Sequence, residues 1–262
     1  MPDPASPARL EIERVPCRAD NYVWLVRAPD SGDVAVVDPC DAEPVAARLD
    51  ALGWHPRWIL NTHHHGDHVG GNVELKRRYG ARVVAPDADR HRIPALDVGV
   101  RAGDHVRLGP HVATVLETPG HTSGHVAFWF SGDEALFCGD TLFALGCGRL
   151  FEGTPAQMWA SLQALRALPP STRVFCAHEY TAANARFALT IDGDNADLLA
   201  RARSVADARQ RGEATVPSLL ADELATNPFL RADEPALAHN VGVVPGDPVA
   251  AFAAMRRRKD AF

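Results

Sequence analysis

At 262 residues and 46% hydrophobic composition, the chain can bury a sizeable core and form one large domain with a smaller one. A charged fraction of 23% is ordinary for a globular protein, and the formal net charge of -6 weighs against a general nucleic-acid binder, which must neutralise phosphates. No apolar run is long enough to cross a bilayer, and MPDPASPARLEIERV lacks the charged-then-apolar layout of a secretory signal.

Short β-rich runs alternate with helical patterns over the first two-thirds. YVWLV (22–26) and VAVVD (34–38) read as neighbouring strands across the turn-rich APDSGD. A helix is expected from Ala42 to Leu52, with Asp41 able to cap it and Val45, Leu49 and Leu52 on one face. RWILN (57–61) suits a buried strand, and 72–79 a helix ending at Gly80. RVVAP, HVATVLETP, HVAFWF and EALFC follow as strands. Thr154-Pro155-Ala156-Gln157 is a capping-box pattern that starts a helix with Met158, Leu162, Leu165 and Leu168 on one face. Pro169-Pro170 stops it, and RVFC (173–176) returns as a strand. After His178 the texture changes to helices joined by polar turns, so a domain boundary is placed there. The mixture suggests two sheets between helices followed by a helical C-terminal domain, of which pattern alone supports an α/β fold plus helices. Cys17, Cys40, Cys138, Cys147 and Cys176 are odd in number and form no Cys-x-x-Cys pair, which predicts unpaired thiols in a cytoplasmic protein.

The informative segment is Thr62-His63-His64-His65-Gly66-Asp67-His68-Val69-Gly70-Gly71. It follows an apolar strand directly and reads as a tight loop leading into a helix. In such a loop His63 and His65 can point to one place, and Asp67 and His68 to an adjacent one. His121, Asp140 and His178 each sit just past another apolar run, where strand ends bring distant positions together. Five histidines and two carboxylates exceed the three ligands of a single catalytic zinc. They fit two ions with one carboxylate bridging, and they suit zinc, iron or manganese. His55, His64, His91, His105, His111, His125 and His239 read as surface or satisfied core residues. Asp38, at the end of a buried strand, reads as a group that orients a ligand or the loop rather than as a ligand.

These residues resemble the metallo-β-lactamase superfamily, whose signature is His-x-His-x-Asp-His. Gly120-His121-Thr122, Gly139-Asp140-Thr141 and His178 complete the likeness. The resemblance implies a four-layer αββα sandwich, the metallo-β-lactamase fold. Gly146-Cys147-Gly148-Arg149-Leu150-Phe151-Glu152-Gly153-Thr154, Ala177-His178-Glu179-Tyr180-Thr181, Asn227-Pro228-Phe229 and Arg256-Arg257-Arg258-Lys259-Asp260-Ala261-Phe262 look like glyoxalase II, the hydroxyacylglutathione hydrolases. That likeness runs through nearly the whole chain. It implies a catalytic domain over 1–178 and a substrate-binding helical domain over 179–262. His63, His65 and His121 would hold one metal, Asp67, His68 and His178 the second, and Asp140 would bridge. Arg149, Phe151, Tyr180, Arg256 and Lys259 fall where the family grips glutathione. Phe151 stands where many members have tyrosine, and Gly66 takes a position often filled by a larger residue.

The implied reaction is hydrolysis of S-(2-hydroxyacyl)glutathione, typically S-D-lactoylglutathione, in methylglyoxal detoxification. A metal-bridging hydroxide, held by Asp140, Asp67, His63 and His65, would attack the thioester carbonyl. The thiolate, with a pKa of about 8.5, departs with little protonation. Competing readings are a glutathione-persulfide dioxygenase with a single iron, another hydrolase of the superfamily, a nucleic-acid processing enzyme and a non-catalytic metal-binding protein. All seven ligands together with Arg149 and the basic C-terminal segment favour thioester hydrolysis. No nucleic-acid or membrane partner is expected, and the oligomeric state is left open, a monomer being compatible.

Overall fold

The computed structural model describes residues 8–262. The first seven residues of the stretch read as lacking a secretory signal lie outside the described residues. The chain divides into two compact units: residues up to Glu117 with Val126–Phe137, and Thr118–His125 with Cys138–Phe262.

The first unit opens with three strands, β1 (Glu11–Cys17), β2 (Asn21–Arg27) and β3 (Val34–Val37), which pair antiparallel in succession. Next come α1 (Ala42–Leu52), β4 (Pro56–Leu60), α2 (Gly66–Val69), α3 (Asn72–Tyr79), β5 (Arg82–Pro86) and β6 (Leu96–Val100). Together β1 to β6 make one sheet in chain order, parallel from β3 onward. Parallel neighbours need crossovers, which α1 and the α2–α3 pair supply. Val45, Leu49 and Leu75 on α1 and α3 pack with Val23, Leu25, Val36, Ile59 and Val83 into a continuous apolar core. The hydrophobic face of each helix is thereby removed from water, at roughly 25 cal/mol per Å² of apolar surface. β7 (His105–Leu108), β8 (His111–Glu117), β9 (Val126–Phe130) and the start of β10 (Ala135–Gly139) form an antiparallel run in the same unit.

The chain enters the second unit at Cys138. β11 (Leu142–Phe143) and β12 (Gly146–Cys147) form a two-residue hairpin. α4 (Pro155–Arg166) begins with the expected reciprocal capping box between Thr154 and Gln157. β13 (Arg173–Cys176) follows, and then α5 (Thr181–Ile191) and α6 (Ala196–Gln210). The rest is β14 (Ser218–Leu219), α7 (Leu220–Thr226), α8 (Pro235–Asn240) and α9 (Pro248–Asp260). Phe187 stacks on Phe229, and Phe229 meets Phe252 edge-on, at centroid distances of 5.9 and 5.8 Å. These rings bind α5 and α9 to the Asn227-Pro228-Phe229 turn.

Two expectations are corrected. Asp41 stands at the N-cap of α1 but makes no capping bond. Its carboxylate turns instead to the Arg18 guanidinium, at 3.0 Å from Nε and 2.9 Å from Nη2, where a charge-assisted pair outcompetes a neutral amide donor. The five cysteines are not all unpaired. Cys17, ending β1, and Cys40, just after β3, are joined as a disulfide across a Cα–Cα distance of 6.8 Å, because strand pairing closes 23 residues of sequence separation. Cys138, Cys147 and Cys176 are free and buried.

Candidate metal centre

In the first unit the ligand-rich loop leaves the carboxyl end of β4, between two parallel neighbours. Ligands collect at that end of a parallel sheet because the strands stop together there and the loops diverge. Asp38 N–H donates to Leu60 O and Asn61 N–H to Val84 O, each at 2.9 Å, so β3, β4 and β5 end in register. Asp38 takes a left-handed φ of 50°, a conformation aspartate tolerates better than most residues. Its carboxylate accepts the Thr62 N–H at 2.7 Å and the Thr62 hydroxyl at 2.7 Å. It also lies 3.1 Å from His68 Nδ1. Asp38 therefore acts as an orienting group for the loop.

These contacts fix the histidine tautomers. A carboxylate only accepts, so His68 carries its proton on Nδ1 and presents Nε2. The Thr62 hydroxyl has one proton, given to Asp38, so at 3.0 Å it accepts from His63 Nδ1–H and leaves His63 Nε2 as the outward nitrogen. That nitrogen is 3.1 Å from His65 Nδ1. His68 Nε2 is 3.6 Å from Asp67 Oδ2, and Asn21 Nδ2 donates to the same oxygen at 3.1 Å. Gly66 sits in α2, so the tight loop becomes a single helical turn that His65 opens and His68 nearly closes.

In the second unit Asp140 follows β10 directly. Its N–H donates to His125 Nε2 at 3.2 Å, and the His125 ring is held by the Thr118 and Thr141 hydroxyls at 2.9 and 3.1 Å. Asp140 Oδ2 faces His121 Nε2 and Oδ1 faces His178 Nε2, both at 3.4 Å. His121 Nδ1 lies 2.9 Å from the Arg149 carbonyl, which can only accept, so Nδ1 bears the proton. Gly148 makes this approach possible: a Cβ there would run into the Asp140 carbonyl oxygen and come within 3.0 Å of His121 Nδ1.

The donor set fits divalent metal ions. Metal–nitrogen bonds of 2.0–2.1 Å in a tetrahedron put neighbouring ligand atoms about 3.3 Å apart. The four ligand-atom pairs above span 3.1 to 3.6 Å. A lone-pair nitrogen set against a carboxylate oxygen, as at His121 and Asp140, is repulsive until a cation lies between them. His63, His68, His121, Asp140 and His178 are buried, where uncompensated charge is costly.

Beside His178 and His121 lie the aromatic candidates. Tyr180 stacks on His178 at 4.7 Å with a 2° interplanar angle, and Phe151, 62% exposed, meets His121 edge-on at 5.2 Å. The cationic candidates lie together. Arg256, only 5% exposed, donates Nη1–H to Cys147 O at 2.9 Å, while its Nε and Nη2 reach Asp260 Oδ1 at 3.0 and 2.9 Å. Lys259 Nζ donates to Ala183 O at 3.1 Å and lies over the Phe187 and Phe262 rings. Burial, then the neighbouring Arg256, Arg186 and Arg149, push its ammonium down to about 8. Arg149 extends toward solvent, with Nε 4.0 Å from Asp260 Oδ1. Burial pushes the Cys147 thiol up to about 11, which removes it as a nucleophile despite Arg256 beside it.

Of the histidines set aside, His111 is buried on Asp133 at 2.7 Å and His64 pairs with Asp89 at 3.1 Å. His125 is a satisfied core residue, but one that anchors the Asp140 main chain. Sequence reasoning missed that link, together with Thr62 and Asn21. The legible signal is position: Thr62 immediately precedes the first ligand, and Asn21 opens the strand beside β3.

Two family models divide the chain between them. One, described as "Metallo-beta-lactamase superfamily", matches residues 19–178, and one described as "Hydroxyacylglutathione hydrolase C-terminus" matches residues 179–262. A protein named hydroxyacylglutathione hydrolase from Methylococcus capsulatus is 60% identical over 254 residues, covering 97% of this chain and 99% of the relative. A second of that name, from Maricaulis maris, is 54% identical and covers 97% and 100%. Among solved structures, ETHE1 from Myxococcus xanthus superposes with a TM-score of 0.66 at 23% identity over 96% of this chain and 99% of that one. TTHA1623 in a di-iron-bound form does so with a TM-score of 0.59 at 26% identity over 82% and 98%. The fold is thus the metallo-β-lactamase α/β sandwich, with a helical C-terminal region.

Proposed function

This chain belongs to the hydroxyacylglutathione hydrolases of the metallo-β-lactamase superfamily, and from that membership we propose that it hydrolyses the thioester of S-(2-hydroxyacyl)glutathione, typically S-D-lactoylglutathione, at a centre of two divalent ions. In this reading His63, His65 and His121 hold one ion, Asp67, His68 and His178 the other, and Asp140 bridges. The observation that carries it is Asp140, whose two oxygens each face a different imidazole at 3.4 Å, the disposition of a carboxylate shared between two cations. Imidazole and carboxylate donors suit zinc, our first choice, as well as iron and manganese. The di-iron form of TTHA1623 supports a two-metal reading.

Metal held by these residues would supply hydroxide at neutral pH and polarise a carbonyl. The chain's own residues bind and orient the substrate. Arg149, Arg256 and Lys259 set positive charge where glutathione's carboxylates can be held. Tyr180 offers a phenol beside His178, and Phe151 an apolar edge beside His121. The leaving thiolate needs little protonation, so no acid is required at the sulfur. Residues 1–178 would carry the metal chemistry and 179–262 most of the substrate contacts. Among the described residues no helix is long and apolar enough to cross a membrane, and the net charge of -6 disfavours nucleic acid.

The test is S-D-lactoylglutathione hydrolysis followed by absorbance, with metal content measured on the same sample. Asp140→Ala is expected to lose turnover and bound metal together. Full activity of that variant with normal metal content would refute the assignment.

A further inference from the structure

We propose that Asp260 is an internal counter-ion that occupies the carboxylate position of the cationic cluster until substrate displaces it. The proposal rests on the reading that Arg149, Arg256 and Lys259 grip glutathione. One atom, Asp260 Oδ1, faces Arg256 Nε at 3.0 Å, Arg256 Nη2 at 2.9 Å and Arg149 Nε at 4.0 Å. A bound carboxylate would seek those same N–H groups, since guanidinium presents them as a fork matched to two oxygens.

The two partners differ in freedom. Arg256 is fixed: its guanidinium lies over the Phe229 ring at 5.2 Å and donates to the Cys147 carbonyl, and it is 5% exposed. The Asp260 side chain is 44% exposed and belongs to the last residue of α9. Rotating it about its own χ angles breaks no helical hydrogen bond. A held cation beside a movable anion is the arrangement of a displaceable counter-ion. Without substrate, Asp260 limits the attraction of the cluster for stray anions. With substrate, the incoming carboxylate takes over its contacts, and Asp260 swings to water.

A competing role is that Asp260 orients Arg256 for substrate. The two make opposite predictions. Removal of a competitor tightens binding, and removal of an orienting group weakens it. The Cys147 carbonyl and the Phe229 ring hold Arg256 in either case.

The experiment compares wild type, Asp260→Asn and Asp260→Glu as metal-loaded enzymes. Calorimetry reads the Kd for glutathione, and steady-state kinetics read KM and kcat for S-D-lactoylglutathione. Asp260→Asn is expected to lower both Kd and KM roughly three- to five-fold, the scale of a half-exposed ion pair. It should hold kcat, keep its melting temperature and steepen the salt dependence of KM. Asp260→Glu, which keeps the charge, should stay near wild type. Unchanged or weaker glutathione binding by a folded Asp260→Asn, with wild type active, would overturn the counter-ion role alone. Wild type that neither binds glutathione nor cleaves its thioester would overturn the substrate reading, and this role with it.

Discussion

Asp38 Oδ2 lies 3.1 Å from His68 Nδ1, and that one contact decides which nitrogen of His68 faces outward. Asp38→Ala should therefore lower metal affinity about 10- to 100-fold, the usual cost of losing a carboxylate that backs a ligating histidine. It also strips the acceptor from the Thr62 amide and hydroxyl, so the hydroxyl that faces His63 Nδ1 is no longer oriented by a carboxylate. Metal bound per chain, titrated against a competing chelator, is the measurement. Wild-type affinity in the variant would remove Asp38 from the centre.

Arg256→Ala and Lys259→Ala should both raise KM for the glutathione thioester while leaving kcat nearly intact, since in the proposed reading they would hold a part of the substrate remote from the carbonyl. Added salt should narrow the gap between variant and wild type. Arg256→Ala carries an extra cost, for it leaves the Cys147 carbonyl without this donor. A loss of about 1–3 kcal/mol in denaturant unfolding is expected from it.

Lys259 should give the proposed substrate site a pH dependence. Burial, reinforced by Arg256, Arg186 and Arg149, pushes its ammonium down to about 8. KM for an anionic substrate should accordingly rise as pH climbs through about 8. Binding near that pH should also draw a proton from solution, visible as calorimetric heats that change with buffer ionisation enthalpy. Stability moves the other way. The folded chain holds fewer protons here than the unfolded chain between about 8 and the ordinary lysine value of 10.5, so this residue's contribution is full above 10.5 and is lost as pH falls through about 8. Lys259→Met should flatten that part of the stability profile.

Glu223, fully buried, pairs with Arg201 and accepts from the Leu145 N–H at 2.8 Å and from Asn227 Nδ2 at 3.1 Å. Leu145 has a left-handed φ of 59°, so this carboxylate holds a turn that leucine disfavours. Glu223→Ala should cost about 3–5 kcal/mol, because Arg201 loses its buried partner. A melting temperature lowered by roughly 10 °C is the corresponding readout.

What could be read from the sequence follows the physics of each segment. α1 and α3 end where Gly53 and Gly80 enter the left-handed region; the shared face of Val45, Leu49 and Leu52 makes α1 legible, and Gly80 marks the end of α3. β1 (EIERVPC) is not legible, for its glutamates and arginine interrupt the apolar pattern on an edge strand whose partner, β2, is almost wholly buried. β6 and β7 escaped for a like reason, each offering few apolar residues between turns. The candidate metal ligands stand out because four imidazoles in six residues have no structural explanation as a set. Thr62, Asn21 and His125 do not, since each acts through a contact made only once distant segments meet, as in the 46-residue span from Asn21 to Asp67.

The main chain at Asp140 hangs from His125, whose ring is pinned by two threonine hydroxyls, all of them protein atoms. Folding alone thus presets the main chain at Asp140. A chelator-treated sample should keep its shape there and take ions back without refolding around them. Exchanging one divalent element for another then becomes a matter of supply, with little asked of the polypeptide.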